Sequence, residues 1–277
     1  MHIRFSTLLS IFFFSLILVA EEYRHDRWNI QPKDNFRTFT AFVSSFDGND
    51  ESNGDGKTDQ SDCFGQPEWV AYEIRACRSV EKIKRPSRWT TDAELFKLGI
   101  APNDNTYKHS GYDRGHLCMK HIASRLGEKA DHETHTMVNA CPQIHRFNAG
   151  IWLQLEKETI KWADQYGKAW VICGPVWEAH AEHRYIGDEN EKKIPVPDKF
   201  YKIVAYEKAK ELVIKSWLFP HKEIKKENGK YPLNNYMTSV DEVERLTKLD
   251  FFTALEDSLE DRLESAVPKQ TDTPCSE

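Results

Sequence analysis

The run Gly111-Tyr112-Asp113-Arg114-Gly115-His116 places a guanidinium two residues from an imidazole. Two later stretches, Asn139-Ala140-Cys141-Pro142-Gln143 and Asn148-Ala149-Gly150-Ile151-Trp152-Leu153-Gln154-Leu155-Glu156, add amides and a carboxylate. Hydrolysis of a phosphodiester needs an activated water, neutralised charge on the phosphate and help for the departing oxygen. Histidine can activate water, because a pKa of about 6.5 leaves neutral imidazole available near pH 7. Arg114 can clamp the phosphate. Asn148 and Glu156 offer a sparse oxygen set that suits Mg²⁺, which keeps most of its waters, with Mn²⁺ as an alternative. Zinc would recruit three or more His, Cys or carboxylate ligands. Taken singly, each residue has a plainer reading: His116 as an ordinary core or surface histidine, Asp113–Arg114 as a salt bridge, Asn148 as a helix N-cap. Their joint order and spacing point to chemistry.

That chemistry depends on the elements beneath it. If Asp113–His116 is a strand, alternation puts Arg114 and His116 on one face and Asp113 on the other. Gly115 between them would then let a nucleic-acid backbone approach closely. Asn148 to Gln165 has helical spacing, with Ile151, Trp152, Leu155, Thr159 and Trp162 turned inward. Asn148 and Glu156 lie eight residues apart, about 80° around a regular helix, so both can face one broad cleft. Further strands are expected at Phe36–Phe46, Trp69–Ile74, Ala169–Cys173 (ended by Gly174-Pro175), Phe200–Tyr206 and Glu211–Phe219, the last two joined by a lysine-rich turn. Leu95–Ser110 reads as irregular. Ser239–Leu263 reads as one helix opened by a Ser239-x-x-Glu242 capping box. No internal repeat or linker divides the chain, so residues 21–266 read as a single α+β domain, with a loose tail at 267–277.

The 277 residues carry a formal net charge of −6, an awkward balance for a polyanion-binding protein. Distribution resolves the difficulty. Lys82, Lys84, Arg85 and Arg88 form a basic stretch, as does 222–230, while acidity gathers at 47–62 and 256–264. Asn53, Asp55, Gly56 and Asp59 in the first acidic loop partly match a calcium-binding spacing, and a solvated loop is the other reading. Arg4 and the apolar run Leu8–Val19 before Ala20 read as a signal peptide over residues 1–20. A buried helix or short anchor is the alternative. The expected mature chain is secreted, extracellular or periplasmic, with no membrane contact. Six cysteines could then form up to three disulfides, Cys118–Cys141 among them.

The motifs D-R-G-H, N-x-x-P-Q and N-x-x-x-W-x-x-L-E resemble those of the DNA/RNA non-specific endonucleases, from about Phe36 to Phe252 and most densely from Tyr107 to Trp177. The resemblance implies a ββα-metal fold, with a mixed, mainly antiparallel central sheet flanked by helices. It implies that His116 is the general base and Asn148 the direct Mg²⁺ ligand. Glu156 would hold the metal through water, and Arg114 would bind phosphate. Asn139 and Gln143 would support the site, Gln143 also toward substrate, and Arg88, in an R-W-x-x-D context, would contact substrate. DNA and RNA would be cut to 5′-phosphorylated oligonucleotides, and a homodimer is a candidate assembly. The chain departs from the family at Leu117-Cys118-Met119-Lys120-His121, where a proline-containing segment is common. Two rivals remain. A catalytically weak or inactive nucleic-acid-binding protein could share the fold. His132-Glu133-Thr134-His135 evokes a zinc protease, but it is H-E-x-H rather than H-E-x-x-H.

Overall fold

Strands whose two faces are both mainly apolar can be buried on both sides, and two segments here are. Val70, Tyr72 and Ile74 enter one core while Trp69 and Ala71 enter another; Ala169, Val171 and Cys173 are split in the same way from Trp170 and Ile172. The computed structural model describes residues 22–46, 65–77, 79–80, 82–178 and 183–267. The expected signal peptide, most of the tail and the whole acidic loop with its calcium-like spacing lie outside them.

Eleven strands are present among the described residues: β1 (Arg37–Thr38), β2 (Val43–Phe46), β3 (Pro67–Arg75), β4 (Asp113–His116), β5 (Ala140–Gln143), β6 (Lys168–Val176), β7 (Tyr185–Ile186), β8 (Ile194–Pro195), β9 (Lys199–Lys208), β10 (Glu211–Pro220) and β11 (Met237–Thr238). The helices are α1 (Ala93–Lys97), α2 (Lys120–Ala123), α3 (Glu128–Glu133), α4 (His145–Phe147), α5 (Leu153–Tyr166), α6 (Val240–Thr247) and α7 (Asp257–Glu264). Seven strands form one sheet in the order β1-β2-β3-β6-β9-β10-β11, and β4 pairs with β5 in a separate ribbon. Every pairing in the large sheet is antiparallel, rather than mixed. The α+β class stands.

Helix α5 covers the first face. Leu155, Thr159, Trp162 and Ala163 are buried, and Trp162 stacks on Tyr206 and Trp217 with ring centroids 5.8 Å apart in each case. Each such side chain contributes about 1.5–3 kcal/mol by leaving water. The second face is covered by Trp28, Ile30, Val240 and Val243. Among the described residues, no helix is long and apolar enough to cross a membrane.

Four expected elements differ. The strand at Phe36–Phe46 is two strands, β1 and β2, joined by a tight return. The segment after Leu95 is less irregular than expected, since α1 and a 3₁₀ turn at Asp104–Tyr107 fall around it. Strand β6 runs through Gly174-Pro175 to Val176. Its pairing with β3 stops at Cys173, so Pro175 sits where one side of the strand needs no N–H donor. The helix at Ser239–Leu263 is two helices. Ser239 caps α6 by accepting from Glu242 N, but Lys248 adopts a left-handed conformation and ends it. Phe251 and Phe252, both fully buried, are adjacent, and one helical face cannot bury both.

Gly174 is required by close approach. A Cβ there would lie 2.2 Å from the Glu68 carbonyl oxygen and 2.7 Å from the Tyr201 hydroxyl. Gly174→Ala should therefore destabilise the protein by about 1–3 kcal/mol, read as a lower urea midpoint; an unchanged midpoint would mean that β3 moves aside without cost.

Candidate active site

The ribbon of β4 and β5 carries the first half of the site. Asp113 pairs with Gln143, Arg114 with Pro142, Gly115 with Cys141 and His116 with Ala140. A Cβ on Gly115 would fall 2.3 Å from the Gln143 side chain. Gly115, expected to admit a nucleic-acid backbone, instead admits Gln143. That glutamine is fully buried and both its amide atoms lack hydrogen-bond partners. Its place against Gly115 is inside the protein, not at a substrate-facing surface.

His116 is half-buried, and its Nε2 is cut off from solvent without a hydrogen-bond partner. Trp89 lies over it with ring centroids 4.6 Å apart, and His135 meets it edge-on at 4.9 Å. Burial, then the nearby His135, Arg85 and Lys120, hold its pKa well below 6.5. The imidazole is consequently neutral at pH 7, the form a general base needs. His135 is itself pushed down to about 4, chiefly by burial and then by Arg85, whose Nε donates to His135 Nε2 at 3.0 Å. Trp89, His135 and Arg85 were not singled out from the sequence for this site. A signal for Trp89 was its place beside Arg88.

Arg114 is engaged, as Nε lies 2.7 Å from Asp104 Oδ1 and Nη2 donates to the Asp104 carbonyl at 2.6 Å. The plainer alternative, a salt bridge with Asp113, gives way to one with Asp104. Arg88 is exposed. Asn139 is fully buried, donating to the Cys118 and Thr134 carbonyls at 2.9 Å each and accepting from Cys118 N at 2.8 Å. With its amide so used, Asn139 fixes the chain that follows His116 and does not reach a reacting atom.

The second half lies on a π-turn, Asn148–Trp152, that leads into α5 and contains non-helical Gly150. The regular spacing that put Asn148 and Glu156 about 80° apart does not apply across it. Asn148 Nδ2 donates to Asp113 Oδ2 at 2.9 Å, and Trp152 Nε1 donates to the His116 carbonyl at 3.3 Å. Together these two bonds tie the turn to β4. Glu156 is buried, and Lys202 Nζ, fully buried, lies 3.7 Å from Glu156 Oε1 and 3.9 Å from the centre of the Trp152 ring. Burial lifts the Glu156 carboxyl to about 7 against the opposing pull of Lys202. Lys202 alternates with the second-core residues Tyr201 and Ile203, so it must point into the α5 side of the sheet.

These residues fit a hard divalent cation. By donating its N–H to Asp113, the Asn148 amide keeps its oxygen for a ligand, and oxygen is the atom such a cation takes. Neither His nor Cys belongs to the donor pair, which excludes a zinc-type set.

One expectation is corrected. Cys77, Cys118, Cys141 and Cys173 are free thiols, so the Cys118–Cys141 bridge is absent; Cys63 and Cys275 lie outside the described residues. Burial raises the thiols of Cys118 and Cys141 well above their usual range and that of Cys173 to about 12, which suits inert core packing. The H-E-x-H stretch is no metal centre. His132 is half-buried and contacts the Lys84 carbonyl, while His135 turns inward to His116.

A family model described as DNA/RNA non-specific endonuclease matches residues 58–258. Mitochondrial nuclease EXOG of Danio rerio is 26% identical over 202 residues, covering 69% of this chain and 57% of its own. Human mitochondrial endonuclease G is 25% identical over 193 residues, covering 66% and 62% respectively. The chain thus spans roughly three-fifths of the length of these relatives. An endonuclease G solved in complex with its inhibitor shares the fold, with a TM-score of 0.69 and 24% identity over 84% of this chain and 91% of that one. Secretion, expected from the apolar run near the start, is contradicted by these relatives, which are named as mitochondrial nucleases.

Because burial is the largest influence on His116 and Trp89 lies 4.6 Å from its ring, Trp89→Ala should raise the His116 pKa toward 6.5. An NMR titration of its Cε1 proton in metal-free protein measures this; an unmoved pKa would assign the burial to other neighbours.

Proposed function

This chain belongs to the DNA/RNA non-specific endonuclease family, and from that membership we propose that it is a Mg²⁺-dependent endonuclease cutting both DNA and RNA to 5′-phosphorylated oligonucleotides. The observation that carries the reading is a neutral, unpartnered His116 imidazole on the same short strand as Arg114, with Asn148 hydrogen-bonded to the start of that strand.

The neutral His116 imidazole takes the proton from an attacking water. Its low pKa keeps this base unprotonated below pH 6.5, although a weaker base gains less per proton transferred. Arg114 binds the phosphate once its bond to Asp104 yields, exchanging one oxyanion partner for another. Asn148 and Glu156 would hold Mg²⁺, which when bound would supply charge neutralisation at the phosphate and leaving oxygen. Asp113 sets the orientation of the Asn148 amide, and Asn139 holds the backbone beyond His116. Arg88, exposed beside the Trp89 lid, contacts the nucleic-acid backbone. Lys202 offsets the buried charge of Glu156 from below.

Supercoiled plasmid and RNA, incubated with Mg²⁺ or EDTA, test the reading. Wild type should cut both only with Mg²⁺, and His116→Ala should lose roughly 10²–10⁴-fold in rate. A mutant retaining more than about a tenth of the rate would remove His116 from the base role. Absence of any cleavage would favour the inactive binding protein. Asn148→Ala should shift the Mg²⁺ titration to higher concentration, and an unshifted curve would strike it from the ligand set.

A further inference from the structure

The two helices that cover the second face of the sheet converge on an uncompensated negative charge. Asp241 and Glu244 stand three residues apart on α6, and Glu264 ends α7. One carboxylate oxygen from each lies within 4.8 Å of the others. Glu264 is only 6% exposed, and its Oε1 is buried without a hydrogen-bond partner. Among the described residues, no lysine or arginine forms an ion pair with Asp241, Glu244 or Glu264, and Arg245, the basic residue of α6, is engaged by Glu242 at 2.7 Å. Asp250 and Glu260 add further negative charge nearby.

A buried, unpaired carboxylate facing two others is costly unless it is protonated or holds a cation. We propose that Asp241, Glu244 and Glu264 form a Ca²⁺ site that fastens α7 to α6, on the face of the sheet opposite α5 and the candidate active site. Three carboxylates supply only oxygen, which selects a hard cation over zinc. Oxygens up to 4.8 Å apart span an ion at the Ca²⁺–O distance of about 2.4 Å, whereas Mg²⁺ at about 2.1 Å would draw them closer. The Phe251 N–H donates to Glu244 Oε1 at 2.8 Å and so steadies that carboxylate. Burial and the surrounding carboxylates push Glu264 up to about 9, so without a cation the cluster holds a proton in its place. Binding holds α7, whose Leu263 packs with Leu255 on the second core, and couples the C-terminal helix to the sheet.

The test uses the full chain stripped of metal, in an Asn148→Ala background so that the active-site ligand set is crippled. Calcium at about a hundredfold excess over Kd should raise Tm by roughly 5–10 °C, and Glu264→Gln should abolish that rise. In EDTA, Glu264→Gln should be at least as stable as its parent, because it replaces the carboxyl without adding charge. If that variant does not fold, Asp241→Asn, at an exposed position, should weaken Ca²⁺ binding at least tenfold by calorimetric titration. No Tm response to Ca²⁺ in the parent, or an equal response in the folded Glu264→Gln variant, would overturn the site, as would unchanged Ca²⁺ affinity in Asp241→Asn. None of these readouts depends on cleavage of nucleic acid.

Discussion

The two halves of the proposed catalytic constellation are tied where Trp152 Nε1 donates to the His116 carbonyl at 3.3 Å and, decisively for orientation, by the hydrogen bond from Asn148 Nδ2 to Asp113 Oδ2 at 2.9 Å. Asp113 begins the strand that carries Arg114 and His116, and Asn148 begins the turn that leads to Glu156. A separate ribbon and a separate helix would otherwise meet only through apolar packing, which fixes distance better than orientation. The bond fixes orientation, because an amide that donates its N–H to a carboxylate has its oxygen left for a cation. His145 Nδ1 reaches the same Asp113 oxygen at 2.9 Å, so the carboxylate is held from two sides. Asp113, which faces away from His116 by alternation, thereby acquires a positioning role.

The chemistry is tuned by opposite uses of burial. His116 is desolvated among neutral rings and nearby cations, and each of these disfavours its protonated form. Glu156 is desolvated too, but Lys202 opposes the effect from the strand beneath. A carboxylate beside a buried ammonium retains access to its charged form in a way that one in a wholly apolar pocket does not. Removing Lys202 would leave Glu156 neutral and Trp152 without its cation–π partner. The turn tied to β4 through Trp152 would then lose support on its core side.

Legibility followed the range of the interaction. Period-two alternation read out β3, β9 and β10 because their burial is decided strand by strand. The reactive types at Arg114, His116, Asn148 and Glu156 were legible as a spacing. Their partners were not. Asp104 reaches Arg114, Trp89 covers His116, and Lys202 underlies Glu156, each across a separation that no local pattern encodes. Gly115 shows the same limit: its lack of a side chain was visible, but its reason, the space taken by Gln143, lies on the facing strand. The broken C-terminal helix was missed because a continuous polar–apolar pattern conceals the adjacent pair Phe251-Phe252, which only tertiary burial forces out of helical geometry.

The two faces of the sheet carry different electrostatic problems, and the strand register keeps them apart. On the α5 face a buried cation answers a buried anion, since Lys202 faces the same way as its fellow first-core residues Phe200 and Val204. On the other face the acidic residues of α6 and α7 meet without such an answer, because the strand they contact, β10, turns Leu212, Ile214 and Leu218 to that core and the neighbouring β9 adds Tyr201, Ile203 and Ala205, all apolar or ending in a hydroxyl. Tyr201 turns that hydroxyl to the Glu68 carbonyl. A one-residue slip of β9 would bring Lys202 to the acidic face and strip Glu156 of its partner. The close fit of Gly174 against Glu68 and Tyr201 resists that slip, so a glycine remote from the reacting atoms helps to decide which carboxylate the buried lysine serves.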